Sequence, residues 1–506
     1  MTDNTPVTTA ATKPTNNTAD IVKKVWSFCN MLRDDGVSYS DYLEQITYLI
    51  FLKMAYEYTL PPYKKNIGVE EKYNWQSLTS RTGSVLEAHY LELLRALAQK
   101  KGLLGQIFAK AQNKIQDPAK LARLISMIDE TNWTRLGTDV KGDIYEGILE
   151  KNAEDTKSGA GQYFTPRALI QAIVACMQPK VGNTIADPAC GTGGFLLAAY
   201  DYMESHGALD TEQKRKLKDE TFSGNEIVAN TLRLCLMNLF LHGIGEMDGE
   251  SPISSNDALV SPPSKKVDMV LANPPFGRKS SMTFTNDEGE ADSEDLVYNR
   301  QDFWATTSNK QVNFLQHIYT MLKTSGRAAV VVPDNVLFEG GPGETVRKKL
   351  MEVTDLHTIL RLPTGIFYAN GVKANVLFFD NHVGQEKAVT KDIWIYDYRT
   401  NVHHTLKKKP MSVEHLRDFI DCYKPNNRYE RTETYDAETN TDGRWRKFTR
   451  EEVLKRDKTS LDIFWIKDKS LMDLDNLPEP DELVNDIIEN IEAGLASFRA
   501  VASELS

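Results

Sequence analysis

Residues 183–205, NTIADPACGTGGFLLAAYDYMES, run from a β-rich segment through a glycine turn into a helical segment. That order decides the fold. Glycines at 191, 193 and 194 let the backbone turn tightly and approach a ligand that a Cβ would block. The helix that follows presents free N–H groups at its N-terminus. The combination suits a nucleotide-like ligand carrying a carboxylate, and by itself it leaves several such ligands open. It excludes one class: neither this turn nor GGPGETVRKK (340–349) fits the phosphate loop G-x-x-x-x-G-K-[ST], so no ATPase is expected.

The pattern repeats downstream. Strand candidates are NTIAD (183–187), FSGNE (222–226), VDMVLAN (267–273), AAVVVP (328–333), HTILRLP (357–363), ANVLFF (374–379) and IWIYDY (393–398). Helices fit among them at ALIQAIVACM, GGFLLAAYDYME, ANTLRLCLMNLFLHG, FLQHIYTMLK and TVRKKLMEV. Such alternation predicts the α/β class, a doubly wound parallel sheet, with ligands at the carboxyl ends of the strands. Upstream, 19–152 reads as a helical domain: Asp20 caps IVKKVWSFCNMLRD, and DYLEQITYLIFLKMAYEY, EAHYLELLRALAQK and AKLARLISMID follow. The polar, acidic stretch 278–310 lacks periodicity and is expected to be a long loop. The predicted division is a disordered tail at 1–18, the helical domain at 19–152, the sheet domain at 153–400, an irregular extension at 401–480 and a helix at 481–506. In that last helix Val484, Ile488, Ile491, Leu495, Phe498, Ala502 and Leu505 stand four and three apart, a heptad seam that fits packing on its own body or on a partner.

Composition narrows the class. At 506 residues the chain is too long for one core, and two to four domains are expected. No apolar run has the length of a membrane span, and the first twenty residues have neither the apolar core nor the positive cluster of a signal peptide. The five cysteines, at 29, 176, 190, 235 and 422, form no C-x-x-C pair, so neither a disulfide framework nor a zinc site is expected, and the cytoplasm is the expected compartment. A net charge of −11 argues against a protein that coats DNA alone. The clusters Lys407–Lys409 and Arg444/Arg446/Lys447 read more readily as solvated surface than as a DNA track.

Three motifs carry chemistry. The first is the turn itself, Asp187 to Gly194, with Gly191, Thr192, Gly193 and Gly194 against the ligand. The second is Glu226, which closes the next strand, where a carboxylate can accept from both hydroxyls of a ribose. Asp257, after a third strand, is placed to accept from a purine amino group. The third and most specific is Asn273-Pro274-Pro275-Phe276, directly after an apolar strand. Two prolines stiffen this loop and hold Asn273 extended. It offers fixed acceptors, the Asn273 side-chain oxygen and the Pro274 carbonyl, beside an aromatic ring. An aryl amine is a poor nucleophile because its lone pair is delocalised; acceptors on both of its N–H bonds favour a pyramidal nitrogen with that pair available.

N-P-P-[FY] after D-P-x-x-G-T-G-x-F resembles the amino-group methyltransferases of DNA. Gln162-Tyr163-Phe164-Thr165-Pro166-Arg167 resembles the segment that covers the methionine end of S-adenosylmethionine in those enzymes. KNAEDTKSGAGQYFTPR, GRAAVVVPDNVLFEGG and ILRLPTGIFYANGVKANVLFF together resemble the methylation (HsdM) subunit of type I restriction–modification systems, and the likeness extends to LDIFWIKDK and LPEPD. The resemblance implies methyl transfer from S-adenosylmethionine to N6 of adenine in double-stranded DNA. It implies contacts to that cofactor from Gln162 to Arg167, from Thr192 to Gly194 and from Glu226, and to the adenine from Asn273 to Phe276. It also implies a separate specificity subunit that reads the sequence, with two methylation subunits for each, and a restriction subunit where one exists. No metal and no membrane are expected. Two other readings stay open on the residues alone: methylation of protein glutamine or RNA guanine amines, where N-P-P-[FY] also occurs, and a cofactor-binding scaffold without activity.

Overall fold

The computed structural model describes residue 28, residues 37–65, 67–135, 165–245, 250–276, 281–285, 291–295, 297–367, 372–382, 388–405 and 409–469, and residues 484, 487, 488 and 491. The chain divides into two compact units, Met1–Asp155 and Thr156–Ser506.

The first unit is helical: α1 (Tyr39–Thr59), α2 (Trp75–Thr79), α3 (Gly83–Ala98), α4 (Gly102–Ile107) and α5 (Pro118–Asp129). Ser38 caps α1 by accepting from Asp41 N. Asp117 caps α5 in the same way, with a proline at the first helical position. Tyr42, Leu43, Ile46, Leu49, Phe51 and Met54 are all buried, so α1 is the unit's central helix, apolar nearly all round. The expected helix at 21–34 lies outside the described residues apart from Phe28, which is helical and buried. The expected tail at 1–18 lies wholly outside them.

The second unit is built on a nine-stranded sheet. Its elements are α6 (Arg167–Met177), β1 (Ile185–Asp187), α7 (Gly194–Ser205), α8 (Thr211–Asp219), β2 (Phe222–Asn225), α9 (Ala229–Leu241), β3 (Ile253–Ser254), β4 (Val267–Ala272), β5 (Ser281–Thr285), β6 (Ala291–Asp295), α10 (Lys310–Met321), β7 (Leu322–Pro333), α11 (Asn335–Phe338), α12 (Pro342–Val353), β8 (Thr354–Arg361), β9 (Ala374–Asn381), β10 (Asp392–Asp397), α13 (Arg417–Tyr423), β11 (Trp445–Thr449) and α14 (Arg450–Leu454). The strand order is β11-β10-β8-β9-β7-β4-β1-β2-β3. β1 pairs in parallel with β2 on one side and β4 on the other, so the winding reverses at β1. That reversal opens a crevice at the carboxyl ends of β1, β2 and β4. Val267, Met269, Val270, Leu271 and Ala272 are buried, the continuous apolar run of a strand covered on both faces.

Three features depart from expectation. β9 runs antiparallel between β7 and β8; among the described residues no helix separates β8 from β9, and a parallel pairing would need such a crossover. The extension after residue 401, expected to be irregular, supplies α13, α14 and the edge strand β11, antiparallel to β10. Within 278–310, expected to be one long loop, β5 and β6 form an antiparallel pair. The Arg444 cluster is committed internally: Arg444 donates to the carbonyls of Asp397 and Thr400, and Arg446 lies over Tyr435 and Phe448. Lys407 and Lys408 lie outside the described residues. No helix among the described residues is long and apolar enough to cross a membrane.

Candidate active site

A cavity of about 290 Å³ sits in the crevice beside β1. Its lining includes Asp187, Gly191, Thr192 and Gly194 from the turn after β1, Glu226 after β2, Asp257 after β3, Asn273 and Pro275 after β4, and Thr165 before α6. Five separate segments thus converge on one space.

The turn is shaped by backbone rather than by bulk. Gly191 has φ +55°, and a Cβ placed there would meet nothing within 4 Å. The missing side chain leaves open space at the lining, which is the cradle a bound ligand requires. Gly193, also at positive φ, lies instead against the Cys235 sulfur and α9. Asn238 on α9 donates to the Thr192 carbonyl at 3.0 Å. Beneath the turn the sulfurs of Cys190 and Cys235 lie 3.8 Å apart.

Three carboxylates line the cavity. Glu226 accepts from the backbone N–H of Gly191 at 3.1 Å through Oε2 and from that of Val228 at 2.8 Å through Oε1. Burial pushes its pKa up, and those backbone bonds pull it partly back. Asp187 is 1% exposed and accepts from Ala189 N at 3.0 Å. Burial pushes it up to about 8, opposed by the Ala189 bond and assisted by the neighbouring Glu226 charge. Asp257 accepts from Leu259 N at 2.9 Å and from the Tyr298 hydroxyl at 2.7 Å. A carboxylate has about four lone-pair sites, so these bonds leave capacity toward the cavity.

Asn273 donates from Nδ2 to Thr165 Oγ1 at 2.8 Å, and its acceptor end, Oδ1, is buried. Pro274 is buried, Pro275 is exposed and Phe276 is half-buried. The Phe276 ring meets Phe367 edge-on, with centroids 5.8 Å apart at 75°. Its carbonyl accepts from Gln311 Nε2, and Gln311 Oε1 accepts in turn from Asn335 Nδ2 at 3.0 Å.

Not every expected residue lines the space. Pro166, Arg167, Gly193, Pro274 and Phe276 border the motifs without belonging to the lining; Pro166 stands as N-cap of α6, and Arg167 is exposed at its first position. Gln162, Tyr163 and Phe164 lie outside the described residues. Sequence reasoning missed Phe314 on α10, Thr231 and Asn256, which line the cavity, as well as Ile227 and Val228. The last two carried a signal: they directly follow Glu226 and remain 65% and 50% exposed despite being apolar.

Residues 136–462 match the N-6 DNA Methylase family, and residues 21–128 match the HsdM N-terminal domain. The chain is 40% identical to the type I restriction enzyme StySPI methylase subunit of Salmonella potsdam over 97% of this chain and 96% of that one. It is likewise 40% identical to the type I restriction enzyme EcoKI methylase subunit of Escherichia coli K12, with the same coverage. The crystal structure of the EcoKI M protein aligns with a TM-score of 0.51 at 36% identity, covering 96% of each chain.

Proposed function

The chain belongs to the N-6 DNA methylases as a type I restriction enzyme methylase subunit, and from that premise we propose that its cavity holds S-adenosylmethionine beside an adenine turned out of DNA. The chain is an adenine-specific DNA methyltransferase and the modification subunit of a type I restriction–modification complex. The observation that carries the site reading is the convergence of the glycine turn, Glu226, Asp257 and Asn273 on one cavity.

The residues fit the cofactor. The open space at Gly191 admits a ligand against the backbone, Glu226 offers acceptors to a ribose, and Asp257 offers one to a purine amine. Thr165 supplies a hydroxyl at the same cavity, and Ile227, Val228 and Phe314 add apolar wall. When bound, the cofactor supplies an electrophilic methyl on sulfur. The adenine must leave the stack for its N6 to be reached. Asn273 Oδ1 and the Pro274 carbonyl accept from the N6 amine and hold its lone pair toward the cavity. Phe276 supports the base by stacking. Positioning of this kind supplies much of the rate. The chain needs no strong base, because an alkylated nitrogen sheds its proton readily.

A net charge of −11 supports a division in which the specificity subunit supplies most of the grip on DNA. Val484, Ile487, Ile488 and Ile491 are helical and exposed, an apolar face on which that subunit can dock. The test is to incubate the chain with its specificity subunit, labelled S-adenosylmethionine and, separately, DNA, RNA and protein. Label is expected in DNA alone, as N6-methyladenine; label elsewhere, or none, overturns the reading.

A further inference from the structure

We propose that Tyr298 is a positioning residue for cofactor recognition, whose hydroxyl holds the Asp257 carboxylate where it accepts from the cofactor's adenine amine. The proposal rests on the reading above, in which Asp257 offers an acceptor to that amine. The Tyr298 hydroxyl donates to Asp257 Oδ2 at 2.7 Å across 41 positions of sequence. Asp257 lines the cavity, whereas Tyr298 stands outside the lining.

The place of Asp257 in the fold calls for such a tie. It follows β3, a strand of two residues at the edge of the sheet. Ile253 and Ser254 pair with Gly224 and Asn225 of β2, and the chain then leaves the sheet. A short edge strand fixes the loop after it less firmly than a long central strand does. Within the turn, Leu259 N holds Asp257 Oδ1 at 2.9 Å. That bond alone lets the carboxylate swing about the held oxygen. A second bond, on the other oxygen, fixes its plane, and Tyr298 supplies it. Hydrogen bonds to an ionised acceptor are about twice as strong as neutral ones. A carboxylate has about four lone-pair sites, so two bonds leave room for the amine.

The anchor is itself held. Tyr298 is buried in a cluster with Ala258, Leu259 and Phe314, against which Ala189 and Phe303 also pack. Ala189, Ala258 and Phe314 line the cavity, so the Tyr298 ring backs its wall. Two residues on, Arg300 Nη1 donates to the Leu259 carbonyl at 3.3 Å, and the guanidinium lies 4.1 Å over the Phe303 ring. Residues 298 and 300 therefore clamp the 257–259 turn at its carboxylate and at its backbone. Removing the Tyr298 hydroxyl leaves the ring packing and the Arg300 clamp in place. What it releases is the direction of the carboxylate. A ligand that donates an N–H to Asp257 feels that release, and one without the amine does not.

The test uses the full chain assembled with its specificity subunit. Two ligands are titrated calorimetrically: S-adenosylhomocysteine, and its analogue with purine in place of adenine, which lacks only the amine. The wild type should bind the first at least about tenfold more tightly. Tyr298→Phe should cut that preference at least about threefold. Its affinity for the purine analogue should stay within about twofold, with wild-type circular dichroism. The KM for S-adenosylmethionine should rise while kcat holds, because the amine is remote from the transferred methyl. In the Asp257→Ala background, where the preference is lost, Tyr298→Phe should change it no further. Undiminished preference in Tyr298→Phe, equal weakening of both ligands, or a further loss in the Asp257→Ala background each overturns the positioning role and leaves Asp257 as the acceptor. Wild-type preference in Asp257→Ala removes the Asp257 reading and the role of Tyr298 with it.

Discussion

Gly191 and Glu226 are joined by a 3.1 Å hydrogen bond from backbone N–H to Oε2, which ties the turn after β1 to the turn after β2. Glu226 holds Val228 N at 2.8 Å with its other oxygen. The carboxylate therefore shapes the cavity as well as facing its occupant. Glu226→Ala should lose both functions. The Val228 N–H is exposed and the Gly191 N–H only partly buried, so both can turn to water and the loss costs about 1 kcal/mol or less each. The variant should melt slightly lower and bind cofactor at least about tenfold more weakly, while turnover at saturating cofactor falls much less. Calorimetric titration beside steady-state kinetics reads the split; unchanged affinity in a folded variant refutes the ribose role.

Gly191 itself allows a cleaner experiment than its valine variant. At φ +55° a β-branched residue is strained, by about 1–2 kcal/mol for a left-handed L-residue, so Gly191→Val should lose stability as well as binding. Asparagine tolerates this conformation far better. Gly191→Asn should keep the wild-type melting temperature within a few degrees while its side chain enters the open space, where a Cβ meets nothing within 4 Å. Cofactor affinity should drop at least about tenfold. If Gly191→Asn binds as the wild type does, the cradle is not where the cofactor lies.

Strands such as VDMVLA were legible because their apolar runs were nearly uninterrupted, and the Asn273 motif was legible because it closed that run, whereas Glu226 follows the mixed segment FSGN and was read from its place after the glycine turn. What stayed hidden was long-range. Trp445–Thr449 reads as a charged stretch, RWRKF between an aspartate-rich segment and a helix, and becomes a strand only through pairing with Asp392–Tyr396. The direction of β9 is not written in ANVLFF, since an apolar run is the same in either sense. The support of Phe276 by Gln311 and Asn335 joins residues with no shared motif, and polar side chains on a helix give no sign of the carbonyl they will meet. Expected site residues failed to line the cavity where they serve the backbone instead, as Gly193 does against α9.

Asp187 makes the site sensitive to pH. Burial raises its pKa to about 8, above the ordinary carboxylate value, so the folded chain binds a proton that the unfolded chain releases between about pH 4 and 8. With more protons on the native state, stability falls as pH rises through that window. A ligand bearing positive charge favours the ionised form. Cofactor binding at pH 7 should therefore release a fraction of a proton, and affinity should rise from pH 6 to 8. Titration in buffers of different ionisation heat measures the release. Asp187→Asn should release markedly less, the remainder coming from Glu226, whose pKa burial also raises, and a wild-type slope in that variant removes Asp187 from the linkage.

Phe276 sits half-buried with its ring edge-on to Phe367. Stacking on a base is worth about 1–3 kcal/mol, so Phe276→Ala should slow methylation by roughly 5- to 150-fold at about 1.4 kcal/mol per tenfold. Phe276→Tyr and Phe276→Trp keep an aromatic face and should retain much of the rate. A wild-type rate in Phe276→Ala would make the ring a packing element alone.

Asn273→Ala is the sharpest test of the chemistry. The change removes Oδ1, one of the two acceptors proposed for the adenine amine, together with the bond to Thr165. Pro275 has no N–H and no polar side chain, so the adjacent loop cannot replace them. Loss of an aligned polar contact at a reacting centre costs on the order of 10²–10³ in rate, by analogy with removal of an oxyanion-hole donor. In the proposed site the cofactor lies mainly against the glycine turn and Glu226, so its binding should change little. DNA binding should survive, because the proposed function assigns most of the grip on DNA to the specificity subunit. The expected variant is folded, binds cofactor and DNA, and transfers almost no methyl. Labelled methyl reaching adenine N6 within a few-fold of the wild-type rate would show that the amine is held by something other than Asn273.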